Sequence, residues 1–218
     1  MVWEARGSGR AEGGVTMSEG LDHAAVRAHY GAPTERSQAK QLDRIDRHAH
    51  AFIALSPFCV VASADAAGRC DATPRGDAPG FVAVADARTL LLPDRPGNRR
   101  VDTMLNVAEN PWIGLLFLVP GIQETLRVNG RAEIVTDPDA LAPLAAQGKL
   151  PCAVLRVRVE EVFFHCGKAV IRSDLWTRGA GQRPDFPTLG QIFADQIAGA
   201  DAAETDRSIE DGYRNRLY

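Results

Sequence analysis

Three arginines stand close together in TLLLPDRPGNRRVDTMLNVAENP, the segment from Thr89 to Pro111. Arg95 comes first, and Arg99 and Arg100 fall at the predicted start of a helix. Cations at a helix N-terminus oppose the helix dipole by roughly 0.3–1 kcal/mol each, and a bound anion would reverse that sign. Free backbone N–H groups flanked by arginines are typical of a phosphate site. The alternative is a solvated surface cluster.

The strand and the helix on either side of these arginines can be located from the sequence. Thr89–Leu92 is short and apolar, which predicts a strand, and the Pro/Gly-rich loop after it breaks that strand. Asn98 is a candidate N-cap for the helix. Apolar side chains then recur with helical period, and Pro111 disfavours helix at the residue before it. We therefore predict strand, loop and helix in that order.

Two further groups of polar residues could belong to a binding site. Arg75 and Asp77 fall in a predicted loop rich in Pro and Gly, where backbone N–H groups can approach a ligand. The alternative is an ordinary surface ion pair. Gln123, Thr125 and Arg127 alternate along a predicted strand and therefore share one face. That face is either solvated or the wall of a polar pocket.

The sequence offers no metal site and no catalytic nucleophile. His165 and Cys166 are adjacent on a predicted strand, so their side chains point to opposite faces and cannot act as a pair. The four cysteines show no Cys-x-x-Cys spacing, so we predict no metal centre. Trp176 has two readings, a core residue or an aromatic that stacks on a cofactor.

The composition is that of an ordinary globular protein. Of the 218 residues, 45% are hydrophobic and 24% charged, and the net charge is -3, which argues against a nucleic-acid partner. The longest apolar run, Trp112 to Val119, is too short to span a membrane. Four cysteines without a disulfide framework are typical of free thiols in a reducing compartment, so we expect a cytoplasmic protein.

Short strands at close spacing predict an antiparallel barrel or sandwich with flanking helices. Residues 1–20 are mostly polar and Gly-rich, and we expect a disordered N-terminal extension there. Residues 21–200 form the predicted folded domain, and 201–218 a charged C-terminal tail. Helices are predicted over Thr34–Leu55 and Asp137–Gln147, and another begins after Thr188.

Six motifs follow one another between Pro74 and Trp176: PRGDAPGF, LPDRPGNRR, NVAENP, GLLFLVPG, ETLRVNGRA and FHCGKAVIRSDLW. In order and spacing they resemble one bacterial subfamily of the pyridoxamine 5′-phosphate oxidase-like, FMN-binding split-barrel proteins. The resemblance implies a mainly β fold with flanking helices, built on a six-stranded antiparallel split β-barrel. It also implies a homodimer, with each FMN in a cleft at the dimer interface.

The resemblance further implies which residues hold the phosphate of FMN. In the family, a basic pair at the start of the central helix binds it, and Arg99 and Arg100 fit that pair. Asn98 fits the polar residue before the pair. Arg75 and Asp77 lie near the family's other FMN-contacting segment, although the loop here differs in length.

The flavin ring would be held by a second set of residues that the resemblance implies. Leu92 and Pro93 match strand-end positions that line the flavin. Gln123 and Thr125 fall where the family places polar contacts to the ring. A positive charge near the ring, from Arg127 or Lys168, would stabilise reduced flavin, and Trp176 matches an aromatic contributed across the interface.

These features predict an FMN-dependent oxidoreductase that acts on an unidentified small molecule or electron donor. The sequence identifies no catalytic acid or base. True pyridoxamine phosphate oxidases carry a C-terminal Arg-Leu-His-Asp-Arg-type run, whereas this chain ends GYRNRLY, which argues against that activity. Two alternatives stay open: a flavin-binding sensor or carrier without turnover, and a haem-binding split barrel with His165 or another histidine as axial ligand.

Overall fold

The computed structural model describes residues 20–178 and 185–218. The chain divides into two compact units, one ending at Gln38 and the other formed by Ala39–Tyr218. In the first unit lies α1 (His23–Tyr30), which begins where the Asp22 side chain accepts a hydrogen bond from a backbone N–H of its first turn. The expected N-terminal extension lies, except for its last residue, outside the described residues.

The second unit contains the strands and most of the helices, after a short α2 (Glu35–Ala39) at the boundary. The strands are β1 (Phe58–Ala64), β2 (Cys70–Gly76), β3 (Ala83–Asp86), β4 (Thr89–Asp94), β5 (Trp112–Leu118), β6 (Thr125–Val135) and β7 (Ala153–His165). The helices are α3 (Arg47–Leu55), α4 (Asp102–Glu109), α5 (Pro138–Leu141), α6 (Lys168–Ser173), α7 (Leu189–Gln196) and α8 (Ala202–Asn215).

All these strands form one sheet in the order β2-β1-β5-β6-β7-β4-β3, and every neighbouring pair is antiparallel. The expected mainly β fold with flanking helices is therefore confirmed. The sheet has seven strands where the resemblance implied six, because the short β3 pairs with β4 at one edge. In the described part of the chain, no pairing between the two edge strands closes the sheet into a barrel.

A large hydrophobic core holds the sheet together. Strands from both halves of the sheet contribute to the same buried cluster, for example Val61 on β1 and Leu90 on β4, so the sheet curls around it. In β7, buried Leu155 and Val157 alternate with exposed arginines, as the sequence pattern predicts. Each fully buried side chain of this size contributes about 1.5–3 kcal/mol. Helix α3 covers the core with Phe52 and Ile53.

Two predicted helices are wrong in their extent. The stretch Thr34–Leu55 is not one helix, because Leu42 leaves the helical path and exchanges both backbone hydrogen bonds with Val162 of β7. The stretch Asp137–Gln147 forms only α5 and one 3₁₀ turn, since Pro143 cannot donate a helical hydrogen bond. The helix after Thr188 is confirmed as α7, with a capping box.

The predicted C-terminal tail carries a helix of its own. The Asp201 side chain accepts a hydrogen bond from the Glu204 N–H and starts α8, which packs against α7. No helix of the described residues is long and apolar enough to cross a membrane.

Candidate functional site

A cleft of about 1030 Å³ opens between β2, the loop after β4 and the C-terminal helix α8. We call it the arginine cleft, because five arginines from three parts of the chain line it: Arg75, Arg95, Arg99, Arg100 and Arg216. Its other lining residues include Thr73 on β2, Cys152 before β7, and Ile209, Tyr213 and Leu217 near the end of the chain. The contribution of α8 is not evident from any pattern in the sequence.

The loop that carries Arg99 and Arg100 has an unusual backbone. Arg99 and Val101 both have positive φ angles, 61° and 52°, a region that side chains other than Gly, Asn and Asp enter rarely and at a cost. The Asn98 side chain accepts a hydrogen bond from the Arg100 N–H at 3.1 Å. Asn98 therefore stabilises the turn and does not cap the helix. The N-cap of α4 is Val101, which has no side-chain capping bond, so the prediction of Asn98 as N-cap is wrong.

Four of the five cleft arginines are paired with a carboxylate. Arg75 Nη2 lies 3.3 Å from Asp94 Oδ1, and Arg95 Nε lies 2.8 Å from Asp77 Oδ2. Arg100 pairs with Asp102 and Arg216 with Asp211.

Arg99 differs from the other cleft arginines. Within residues 20–178 and 185–218 it forms no ion pair, and its side chain is exposed. The cleft thus presents one uncompensated cation beside an uncapped helix start.

Helix α4 is attached to β1 and β2 by hydrogen bonds of two buried polar side chains, Thr103 and Asn106. The Asn106 amide donates to Ser63 Oγ on β1 at 3.0 Å and to Asp71 Oδ2 on β2 at 2.8 Å. Thr103 bonds Thr73 of β2 at 3.2 Å between hydroxyl oxygens. Because these bonds join α4 to two strands, they also fix the position of residues 95–100, which precede α4 and which we call the arginine loop. The sequence contains a signal for these contacts, because Thr103 and Asn106, three residues apart, place polar side chains on the buried face of the helix.

Arg75 lies in the cleft as expected, but within β2 and not in a loop, because Cys59 of β1 pairs with it. Its partner Asp94 is half-buried, and burial raises the pKa of that carboxyl while the charge of Arg75 opposes the rise. Asp94 was not predicted as a site residue. It lies at the end of β4, and burial, not the facing cation, is what raises its pKa.

Three other predicted cofactor residues do not line the arginine cleft. The side chain of Leu92 lies in the hydrophobic core, and Pro93 is buried next to it on β4. Asp77 is occupied within the chain, because Arg95 donates to one of its oxygens and Tyr218 to the other. Burial alone would raise the pKa of Asp77, but hydrogen bonds from Tyr218, Ala78 and Arg95 outweigh it and leave that pKa lowered.

The remaining predicted residues lie away from the arginine cleft. We call Gln123, Thr125, Arg127 and Trp176 the outer polar group. Trp176 Nε1 donates to the carbonyl of Ile122 at 2.8 Å, and Thr125 pairs with His165 across β6 and β7.

Arg127 forms an ion pair with Glu161 and lies 5.3 Å from the ring centroid of Phe163. Its Nε is buried and has no hydrogen-bond partner among the described residues. Burial, then the charges of Arg127 and Lys40, lower the pKa of His165.

Strands β1 and β5 present apolar side chains on both faces. Cys59, Val61, Ile113, Leu115 and Phe117 face the core and are buried. On the other face lie Phe58, Val60, Ala62, Trp112, Leu116 and Leu118, which are exposed or half-buried. We call this second set the apolar outer face. Antiparallel sheets that face water normally carry polar residues there, so this face has the composition of a contact surface.

No group of three or more His, Cys, Asp or Glu side chains in the described residues could hold a metal ion. All four cysteines are free thiols. Burial raises the pKa of Cys59 to about 12, so this thiol stays protonated in the core. Cys70, Cys152 and Cys166 are exposed.

The family model described as pyridoxamine 5′-phosphate oxidase matches residues 45–166, more than half of the chain. No curated protein sequence matches. Among solved structures, HupZ of Group A Streptococcus is 22% identical, over 55% of this chain and 93% of its own, with a TM-score of 0.46.

A second similar structure is a Clostridium acetobutylicum protein related to general stress protein 26. It is 14% identical, over 55% of this chain and 86% of its own, with a TM-score of 0.42. These structural likenesses are distant, and the family match is the stronger finding. It covers every strand of the sheet and the arginine loop, and the chain therefore belongs to the pyridoxamine 5′-phosphate oxidase family.

Proposed function

We propose that the protein binds FMN in the arginine cleft, forms a homodimer of split-barrel subunits, and works as an FMN-dependent oxidoreductase on a small molecule. The observation that carries the proposal is Arg99. It is exposed without an ion pair in the described residues, and it precedes a helix whose N-terminus has no side-chain cap. A phosphate group would satisfy both the cation and the helix start.

The residues of the cleft fit a flavin mononucleotide. Arg99 and Arg100 would hold the phosphate with their guanidinium groups, since the Arg100 N–H already donates to the Asn98 side chain within the turn. Arg75 and Thr73 lie on the β2 wall of the same cleft and would contact the remainder of the cofactor. When bound, FMN would supply the electron-transfer chemistry, and the protein would bind it, orient it and exclude water.

The second half of the predicted site supports the homodimer. The outer polar group does not line the arginine cleft of the same chain, so one subunit offers the phosphate half of the site without the ring half. The apolar outer face gives a reason for a second copy to bind, since Trp112 is 50% exposed and Phe58 is 38% exposed. In the proposed dimer, the outer polar group of one subunit would complete the cleft of the other.

The test of the phosphate assignment is the variant Arg99→Ala, with Arg158→Ala as a matched control. Arg158 is an exposed arginine on β7 that does not line the cleft. Loss of one charge-assisted hydrogen bond costs about 1.5–3 kcal/mol, so FMN affinity should fall roughly 10- to 100-fold in the first variant, as measured by fluorescence titration. Equal FMN affinity in both variants would overturn the assignment.

The oxidoreductase half of the proposal needs a separate measurement. The holoprotein would be mixed anaerobically with nicotinamide donors and with dye acceptors, while the absorbance of the bound flavin is followed. Reduction by a donor and reoxidation by an acceptor support an enzyme. A flavin that remains oxidised with every donor would instead identify a flavin-binding protein without turnover.

A further inference from the structure

Tyr218, the last residue of the sequence, is fixed by three side chains from the sheet and its loops. Its hydroxyl donates to Asp77 Oδ1 at 2.6 Å. The Lys149 ammonium donates to its main-chain oxygen at 2.8 Å. The guanidinium of Arg95, which itself donates to Asp77 Oδ2 at 2.8 Å, lies 5.8 Å from the centroid of the tyrosine ring.

The Asp77 carboxylate accepts hydrogen bonds at both of its oxygens. Besides Tyr218 and Arg95, it accepts a hydrogen bond from the Ala78 N–H at 2.7 Å, and its side chain is only 5% exposed. A carboxylate has about four acceptor sites; these three donors occupy three of those of Asp77, and its burial restricts access to the fourth. Asp77 therefore binds Tyr218, and we expect it to make no contact with the cofactor.

The helix that precedes Tyr218 forms one wall of the arginine cleft. Ile209, Tyr213 and Arg216 of this segment line it. Helix α8 is joined to α7 through Asp206, whose two oxygens accept from the Thr188 hydroxyl at 2.6 Å and the Gly190 N–H at 2.8 Å.

The helices approach so closely that a Cβ on Gly190 would lie 2.2 Å from the carbonyl oxygen of Ala202. The pair α7–α8 thus behaves as one hairpin, and Tyr218 fastens its end. Local motion of such a pair is governed by the few contacts that attach it to the rest of the fold.

We propose that Tyr218 is a latch: its contacts with Asp77, Arg95 and Lys149 hold α8 across the arginine cleft and thereby slow the release of a phosphate-bearing ligand. The identity of that ligand as FMN rests on the proposed function. The latch itself rests on contacts within the chain. Because α8 forms a wall of the cleft, a ligand beneath it can leave faster once the hairpin swings away.

The experiment uses Tyr218→Phe, which keeps the ring and removes the hydroxyl, with Tyr30→Phe as control. Tyr30 is 78% exposed in the first unit of the chain. Hydrogen–deuterium exchange over residues 202–215 reports on the latch without any ligand. Release of FMN from the holoprotein, followed by fluorescence after rapid dilution, reports on retention. We expect both rates to rise about tenfold in Tyr218→Phe and neither to change in Tyr30→Phe.

The two readouts separate the latch from the proposed function. Unchanged exchange over 202–215 in Tyr218→Phe would overturn the latch, whether or not FMN binds. Faster exchange with an unchanged FMN release rate would overturn its role in retention. A wild-type protein that binds no FMN would overturn the proposed function, and the exchange measurement would then decide the latch alone.

Discussion

Strand β1 contributes to two regions of opposite character. On one side, Ser63 accepts a hydrogen bond from Asn106 beneath the arginine cleft, and the charges of that cleft are largely paired within the chain. On the other side, Val60 and Ala62 belong to the apolar outer face and are left partly exposed. We propose that the first region holds a small anionic ligand, because among the described residues one cation, Arg99, has no ion pair and the helix start has no side-chain cap. The second has the composition of a surface that binds another protein.

If the proposed dimer forms, this contrast teaches that a binding site can be half complete in one chain. In that proposal the arginine cleft binds a ligand and the apolar outer face binds a partner. If the partner is a second copy, each deficit is met by the same assembly, since the outer polar group would reach the neighbouring cleft. The two regions can be tested separately, because no residue of the apolar outer face lines the cleft.

The largest effect is expected from Leu116→Glu, at the centre of the apolar outer face. Leu116 pairs with Val60 across β1 and β5. An unpaired carboxylate buried at an interface costs several kcal/mol, so the variant should be monomeric at concentrations where the wild type is a dimer. Sedimentation velocity would measure this, and FMN occupancy should fall with the dimer.

The matched control for this change is Leu21→Glu, because Leu21 is 60% exposed and lies outside the apolar outer face. It should leave both the dimer and the flavin in place. A wild type that sediments as a monomer, or a Leu116→Glu protein that remains dimeric, would contradict the proposed dimer.

An intermediate effect is expected from Asn106→Ala, which removes the amide that joins α4 to β1 and β2. The buried Ser63 and the half-buried Asp71 lose their donor, and an unsatisfied buried polar group costs about 1–3 kcal/mol. The comparison variant is Asn129→Ala, whose amide donates to Glu161 at 3.1 Å in a half-buried position. Urea unfolding should show the larger loss of stability for Asn106→Ala; equal losses would show that α4 is held mainly by apolar contacts.

Much of the fold was predictable from the sequence, because the spacing of apolar residues indicates which side chains of a strand or helix are buried. The alternation of Leu155 and Val157 with Arg156 and Arg158 predicts β7, and the structure confirms it. The residue preferences of helix N-caps were a less reliable guide to where a helix begins. Asn98 reads as an N-cap, yet tertiary contacts of Asn106 and Thr103 place the helix start three residues later.

The arginine loop was predictable because its residues are neighbours in the sequence. The wall formed by α8 was not predictable. Tyr213 and Arg216 reach the cleft as part of the α7–α8 hairpin, and Tyr218 attaches that hairpin to Asp77, which lies 141 residues away in the sequence. Asp77 itself was predicted as a cofactor contact on its loop composition, and no local pattern shows that Tyr218 would occupy it.

The smallest effect is expected in the alkylation rates of the exposed cysteines, which compare the two regions directly. Cys152 lines the arginine cleft, and Cys70 lines a smaller cavity of about 570 Å³ bordered by Trp112. Saturating FMN should slow iodoacetamide labelling of Cys152 several-fold and leave Cys70 unchanged, as followed by peptide mass spectrometry.

Cys59 supplies the internal control for that measurement. It is fully buried with a pKa of about 12, and the thiolate is the reactive form, so its labelling reports only unfolded protein. If FMN slowed Cys70 and Cys152 alike while Cys59 stayed unlabelled, the ligand would be acting through the assembly and not by occupying the cleft. Protection of Cys152 alone would locate the flavin in the arginine cleft, which both Cys152 and Arg99 line.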